Sequence, residues 1–187
     1  MTPQDFPILK NKFVMVDLET MSTRANAVIL SIGAVKFTFE HGITDEFKVN
    51  IDPKSCKKHG LHIDKTTVDW WASQSKEARL SWQKDPDPIS LPDAMDKFLD
   101  WWGTNKNLWF VCNGMSFDAP ILSSALIAVD KRAPWKYRNE LDLRTIYNLF
   151  GVSTESLKTH DGVYHDSLFD SKFQTHNLLK LFEYEAF

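Results

Sequence analysis

The sequence predicts an α/β fold with a central mixed sheet of about five strands, the first three antiparallel, flanked by helices. Three observations predict it. The stretch FVMVDLET, residues 13–20, is apolar along most of both alternating faces, as a strand covered on two sides must be. A second apolar run, AVILSIGAVKFTF from Ala27 to Phe39, follows at once and leads through EHGITD into EFKVNI. Connections this short join antiparallel neighbours, because a parallel pair needs a long crossover. From Pro53 onward helical patterns alternate with two further short strands, which adds the helical layers.

The elements follow in order. In the first strand Phe13, Met15, Asp17 and Glu19 share one face, and Val14, Val16 and Leu18 the other. A polar turn, MSTRAN, precedes the second strand, and Gly42 marks the hairpin turn before the third, where Phe47, Val49 and Ile51 alternate with polar residues. The segment from Pro53 to Leu80 leans helical around TTVDWWASQS. Beyond a loop with Pro86, Pro88 and Pro92, Ser90 and Asp93 have capping-box spacing, so a helix is expected from there to Trp102, stopping at Gly103. LWFVCN, residues 108–113, reads as a fourth, buried strand ended by Asn113-Gly114, and Pro120 suits the first turn of the next helix. YRNELDLRTIYNLF reads as a short strand passing into a helix; a loop from Gly151 to Tyr164 precedes a last helix over about Asp166 to Phe182. No repeat or linker divides the chain, so one domain over residues 1–187 is expected.

Composition narrows the class. Of 187 residues, 43% are hydrophobic and 13% aromatic, which suits a folded core. No apolar run approaches the roughly 20 residues that span a bilayer, and MTPQDFPILKNK has neither a basic n-region nor an apolar h-region. Two cysteines, Cys56 and Cys112, make no disulfide framework, so no membrane partner and a reducing, cytoplasmic setting are expected. The net charge of −3 argues against a polyanionic partner. That objection weakens if four of the acids are metal ligands, since the remainder is then slightly basic, so net charge does not decide the matter.

Four acids stand where strands end. Asp17 and Glu19, roughly 7 Å apart on one face of an apolar strand, would suffer desolvation and mutual repulsion. Asp118 follows the fourth strand and Asp170 lies in the last helix, with His165 five residues earlier. Five helical residues turn through about 140°, so His165 is expected on a loop that swings over a site Asp170 helps to build. A carboxylate cluster requires cations, and hard oxygen ligands in this number suit Mg²⁺ or Mn²⁺. Two such ions about 4 Å apart clamp the attacking and leaving oxygens of a phosphodiester.

The motifs VDLET, Asn113-x4-Asp118 and His165-x4-Asp170 resemble those of the DEDDh-type 3′–5′ exonucleases, DnaQ-like enzymes of ribonuclease H-like fold, from residue 13 to about 182. TTVDWW, NGMSFDAPIL, PW and LDLRT further resemble the branch containing ribonuclease AS and exonuclease A of T-even phages, which suggests a phage or prophage origin. The resemblance implies hydrolysis of single-stranded DNA or RNA from the 3′ end, releasing nucleoside 5′-monophosphates with two Mg²⁺ or Mn²⁺ ions. Carried over by position, Asp17 would bridge both metals, Glu19 and Asp170 would hold the one that activates water, and Asp118 would support the other. His165 would be the general base. The main chain at Thr20 and Met21 would seat the terminal 3′-hydroxyl, Phe117 would pack against the last nucleotide, and Asn113 would orient the loop carrying Asp118. Two positions depart from the family pattern: Ser167 stands where alanine is usual, and Met21 where threonine or glycine is commoner. Relatives include dimers, which leaves a homodimer open, although the chain shows no heptad or apolar stripe.

Each motif has a plainer reading. Asp118 alone is a helix N-cap, and His165 alone a surface histidine. Cys56, His59 and His62 have a spacing that suggests zinc, but a fourth ligand is missing nearby. The pairs His160-Asp161 and His165-Asp166 resemble HD-type phosphohydrolases, an all-helical class that the strands exclude. Trp101 and Trp109 are expected in the core, and only one of Trp70 and Trp71 near substrate. KRAPWKYR, residues 131–138, suits a phosphate-tracking groove or a solvated loop, as does KSCKKH at 54–59. Two alternative functions stand beside the exonuclease: an oligonucleotidase acting on very short fragments, and an inactive nuclease fold that binds nucleic acid.

Overall fold

The computed structural model describes residues 6–83, 87–153 and 165–184. A 3₁₀ turn over Pro7–Lys10 leads into β1 (Phe13–Thr20), β2 (Ile29–Thr38) and β3 (Gly42–Asn50). Three helices follow, α1 (Pro53–Lys58), α2 (Lys65–Ser73) and α3 (Lys76–Gln83), where the sequence shows one helix-leaning segment. Then come α4 (Leu91–Trp102), β4 (Trp109–Cys112), α5 (Asp118–Ile127), β5 (Glu140–Asp142), α6 (Leu143–Leu149) and α7 (Ser167–Tyr184). The sheet has five strands in the order β3-β2-β1-β4-β5. β1, β2 and β3 form an antiparallel meander, whereas β4 and β5 run parallel to β1.

Local chemistry explains the boundaries. Ser90 caps α4 by accepting from the Asp93 amide, and the helix stops at Gly103, whose φ of 82° an L side chain resists. Gly42, at φ 67°, turns the β2–β3 hairpin. Asp142 accepts from the amides of Arg144 and Thr145 and thereby starts α6.

The alternation of β1 sorts the core into two layers. Val14, Val16 and Leu18 face one cluster with Met95, Phe98 and Leu122 from α4 and α5. Phe13 and Met15 face a second with Leu143, Tyr147, Leu178 and Phe182 from α6 and α7. Trp102 belongs to the first cluster, with Trp101 half-buried against it, while Trp109 packs on the second.

The seat of α7 decides where the site lies. Ser167, Ser171 and Thr175, one turn apart on one helix face, are all fully buried. They let the helix approach β2, where a Cβ on Gly33 would meet the Ser167 carbonyl carbon at 2.0 Å. Ser31 Oγ donates to Ser167 Oγ at 2.9 Å across this contact. The small residue at 167 thus belongs to a close helix–sheet contact, which serine satisfies as a small side chain with a hydroxyl partner.

Candidate active site

β4 ends at Cys112, paired with β1 only as far as Met15, while β1 runs on to Thr20. The edge of β1 freed there is taken by Asp118, whose Oδ1 accepts from the Leu18 amide at 3.2 Å. Phe117, not Asp118, occupies the N-cap of α5. The β1–β2 ladder slips between Glu19 and Thr20, an irregularity of the kind that re-aims side chains. On the same face, α7 brings Asp170 and, one turn later, Gln174, whose Nε2 donates to Asp17 Oδ1 at 2.8 Å.

His165 precedes α7 in the left-handed region, φ 67°, which a non-glycine residue adopts only when its surroundings hold it there. They do: its amide donates to Asp170 Oδ2 at 2.8 Å, and its carbonyl accepts from Ser81 Oγ of α3 at 2.9 Å. The expected swinging histidine is therefore clamped through its main chain. Its ring stands edge-on to Trp70 and Trp71, with centroids 5.0 and 6.0 Å away. One ligand atom each from Glu19, His165 and Asp170 falls within 4.8 Å of the others.

The acids are electrostatically crowded. Glu19 and Asp118 are only 6% and 5% exposed. Burial, then repulsion from Asp170, Glu19 and Asp118, raises the Asp17 carboxyl well above its usual range, and the Gln174 hydrogen bond partly offsets this. Burial, then Asp170 and Asp118, does the same to Glu19, with partial relief from Lys48. Burial pushes Asp118 up to about 7 against the Leu18 hydrogen bond. Asp170 is pushed up to about 7 by burial, with a further rise from Asp166 and an opposing hydrogen bond from His165. Four acids that resist ionisation together form an oxygen-donor set suited to hard divalent cations.

A cavity of about 820 Å³ opens over them, lined by Asp17, Glu19, Asp170, His165, Trp70 and Trp71 among others. Both indoles border it, against the expectation of one. Trp71 is 3% exposed and donates from Nε1 to the Thr20 carbonyl as part of the floor, while Trp70, 42% exposed, stands at the rim. Thr20, Asn113 and Phe117 also line the cavity. Met21 lies beneath, half-buried against two core clusters, and its amide and carbonyl are taken by Val28 and Asp64. The turn at Asn113 is braced by others: Met115 N donates to Asp142 Oδ2 at 3.3 Å, and Arg144 Nη2 to the Asn113 carbonyl at 3.0 Å.

Other candidates disperse. Cys56 lies against the Ile29 carbonyl, His59 against that of Ser55 and His62 against Ser22, so they do not converge on one centre. KSCKKH falls on α1. KRAPWKYR leads into the amino end of β5, whereas the acids gather at the carboxyl ends of the parallel strands. Trp135 in that run is 7% exposed, donates to Glu140 and packs with its ring centroid 4.3 Å from that of Phe110 in the core. His160 and Asp161 lie outside the described residues. The sequence reading also missed Gln174, although its spacing from Asp170 puts the two on one helix face.

Comparison with known proteins fits this geometry. Residues 12–182 match the 3′-5′ exoribonuclease Rv2179c-like domain. The chain belongs to that family of 3′–5′ exonucleases. An exodeoxyribonuclease of Enterobacteria phage T4 is 30% identical over 156 residues, covering 70% of this chain and 68% of that protein. Among solved structures, the nuclease domain of 3′hExo, a DEDDh family member bound to rAMP, superposes with a TM-score of 0.66 at 14% identity, over 95% of this chain and 94% of that one. Exonuclease I of E. coli with a dT13 oligonucleotide gives 0.65 at 14% identity, over 94% of this chain and 43% of that one. The mixed five-strand sheet flanked by helices matches the ribonuclease H-like fold of these solved structures. Among the described residues no helix is long and apolar enough to cross a membrane.

Proposed function

We propose that the protein hydrolyses single-stranded nucleic acid from its 3′ end, releasing nucleoside 5′-monophosphates, with two divalent ions held by Asp17, Glu19, Asp118 and Asp170. One observation carries this reading: four carboxylates from three separated chain segments, Glu19 and Asp118 buried and Asp17 and Asp170 half-buried, gather at one end of the sheet, their ionisation opposed by desolvation and by one another. Such a cluster is stable as anions only with cations present. The donor set is entirely oxygen, which favours Mg²⁺ or Mn²⁺ over softer ions.

Bound there, the ions would supply Lewis-acid charge for an in-line displacement at phosphorus. The chain supplies the rest. Asp17 of β1, oriented by Gln174 of α7, would be shared by the two ions. His165 takes the proton from the attacking water; its backbone clamp and the two indoles hold its ring over Glu19 and Asp170. Phe117 and Thr20 border the cavity where the terminal nucleotide would sit, with Asn113 beside them. Met21 serves from below, by packing.

The test uses 5′-labelled DNA and RNA strands of matched sequence and graded length, with Mg²⁺ or Mn²⁺, beside Asp17→Asn. Shortening from the 3′ end by the native chain alone is expected, and the faster strand identifies the sugar. No shortening at any length with either metal would overturn the reading.

A further inference from the structure

Among the described residues lining the cavity, three are carboxylates and none is a lysine or arginine. A polyanionic strand must therefore find its cations at the rim. Two candidates stand there, at opposite ends of the acid cluster. Lys48 of β3 is near enough to ease the charge on Glu19, and Arg144 of α6 eases that on Asp118.

The two are not equivalent. Lys48 Nζ lies 2.6 Å from Asp166 Oδ2, so its charge is already matched. Arg144 is exposed, and among the described residues its guanidinium makes no ion pair; its partner is the neutral Asn113 carbonyl. The group also has a made seat. It lies over Gly114, at φ 124°, where an added Cβ would come within 3.3 Å of Nη2, 3.5 Å of Cζ and 3.7 Å of Nη1. The missing side chain lets the guanidinium rest against the turn whose neighbours, Asn113 and Phe117, border the cavity. A guanidinium has five N–H donors in a fixed fork, and one is used by Asn113.

We propose that Arg144 is a substrate-binding residue whose guanidinium, seated over Gly114, takes a backbone phosphate of the nucleic-acid strand at the α6 rim. The proposal rests on the reading above that the substrate is a single strand. A forked cation held on a main-chain carbonyl is pre-oriented for two phosphate oxygens, and it balances the acids at the end of the cluster that lacks an ammonium. The phosphate it takes is one flanking the scissile group, since the cluster itself belongs to the ions.

Salt dependence separates phosphate contact from bracing. Binding of fluorescein-labelled dT and rU oligonucleotides would be followed by anisotropy across a NaCl series with Mg²⁺, in an Asp17→Asn background that prevents cleavage. On a single strand each phosphate contact adds about 0.7 to the slope of log affinity against log salt. Arg144→Gln is expected to weaken binding and flatten the slope by about 0.7, while Arg144→Lys, which keeps the charge, retains the slope. Arg138→Gln, at the other end of β5, should change neither. Weaker binding with an unchanged slope in Arg144→Gln would make the residue a brace and overturn the proposal alone. An Asp17→Asn chain that binds neither strand even at low salt would overturn the substrate reading, and this proposal with it.

Discussion

Gln174 holds Asp17: its Nε2 donates at 2.8 Å to one carboxylate oxygen, while among the described residues its own Oε1 is buried without a partner. An amide keeps this donor at every pH, so the aspartate is oriented whether or not its neighbours ionise. Gln174→Leu is expected to weaken Mn²⁺ binding about 10- to 100-fold, as loss of a ligand's supporting hydrogen bond commonly does. Calorimetry on the purified variant checks this, and an unchanged affinity would show that Asp17 is oriented by packing alone.

A ring nitrogen of His165 lies within 4.8 Å of carboxylate oxygens of Glu19 and Asp170, close enough to share an ion with them, so two roles must be separated. As a base, its replacement by alanine lowers kcat about 10²- to 10⁴-fold and leaves Mn²⁺ affinity intact. Single-turnover rates and calorimetry on one preparation decide between them. Parallel loss of Mn²⁺ binding would make the residue a ligand.

The metal-free protein should lose stability as pH rises. Burial raises Asp118 and Asp170 from the ordinary carboxyl value of 3.8 to about 7 each. A carboxyl raised in the folded state binds more protons there than in the unfolded chain, so its contribution is complete below pH 3.8 and is lost as pH climbs through about 7. Denaturant midpoints in EDTA should therefore fall between pH 4 and pH 7, a window set by those two values. Saturating Mg²⁺ should remove most of the fall. A midpoint rising over that range in EDTA would contradict the electrostatics described above.

Gly33→Ala would drive a Cβ to 2.0 Å from the Ser167 backbone. Backbone cannot give way as a side-chain tip does, so a loss of about 3 kcal/mol or more is expected. Ser167→Ala loses only the Ser31 hydrogen bond, about 1 kcal/mol. Urea unfolding of the pair gives the comparison, and equal effects would show that α7 tolerates a shift.

What the sequence carried was local. Alternation along β1 sorted Asp17 and Glu19 from Val16 and Leu18, and Ser90 and Gly103 bounded α4 as cap chemistry requires. The order of acids along the chain announced a cluster. Tertiary facts were hidden. Trp70 and Trp71 diverge on their helix, yet both reach the cavity because one forms its floor and the other its rim. The basic run around Trp135 suited a phosphate-tracking groove or a solvated loop alike, and only the pairing of β5, whose amino end it enters, separates it from the acids. Nor does composition reveal that Ser81 of α3 would fasten His165.

The placement of Asp170, His165 and Gln174 on the last described helix and its entry also fixes when the candidate site comes into being. Asp17 and Gln174 are 157 residues apart. At roughly 5–20 residues per second, a ribosome needs about 8 to 30 s between them. Through most of that interval the emerging chain holds Asp17, Glu19 and at length Asp118, but neither His165 nor Asp170. On the proposed reading, competence to cut nucleic acid arrives only when α7 docks on Gly33, so a partial chain that stops short of that helix holds an incomplete set.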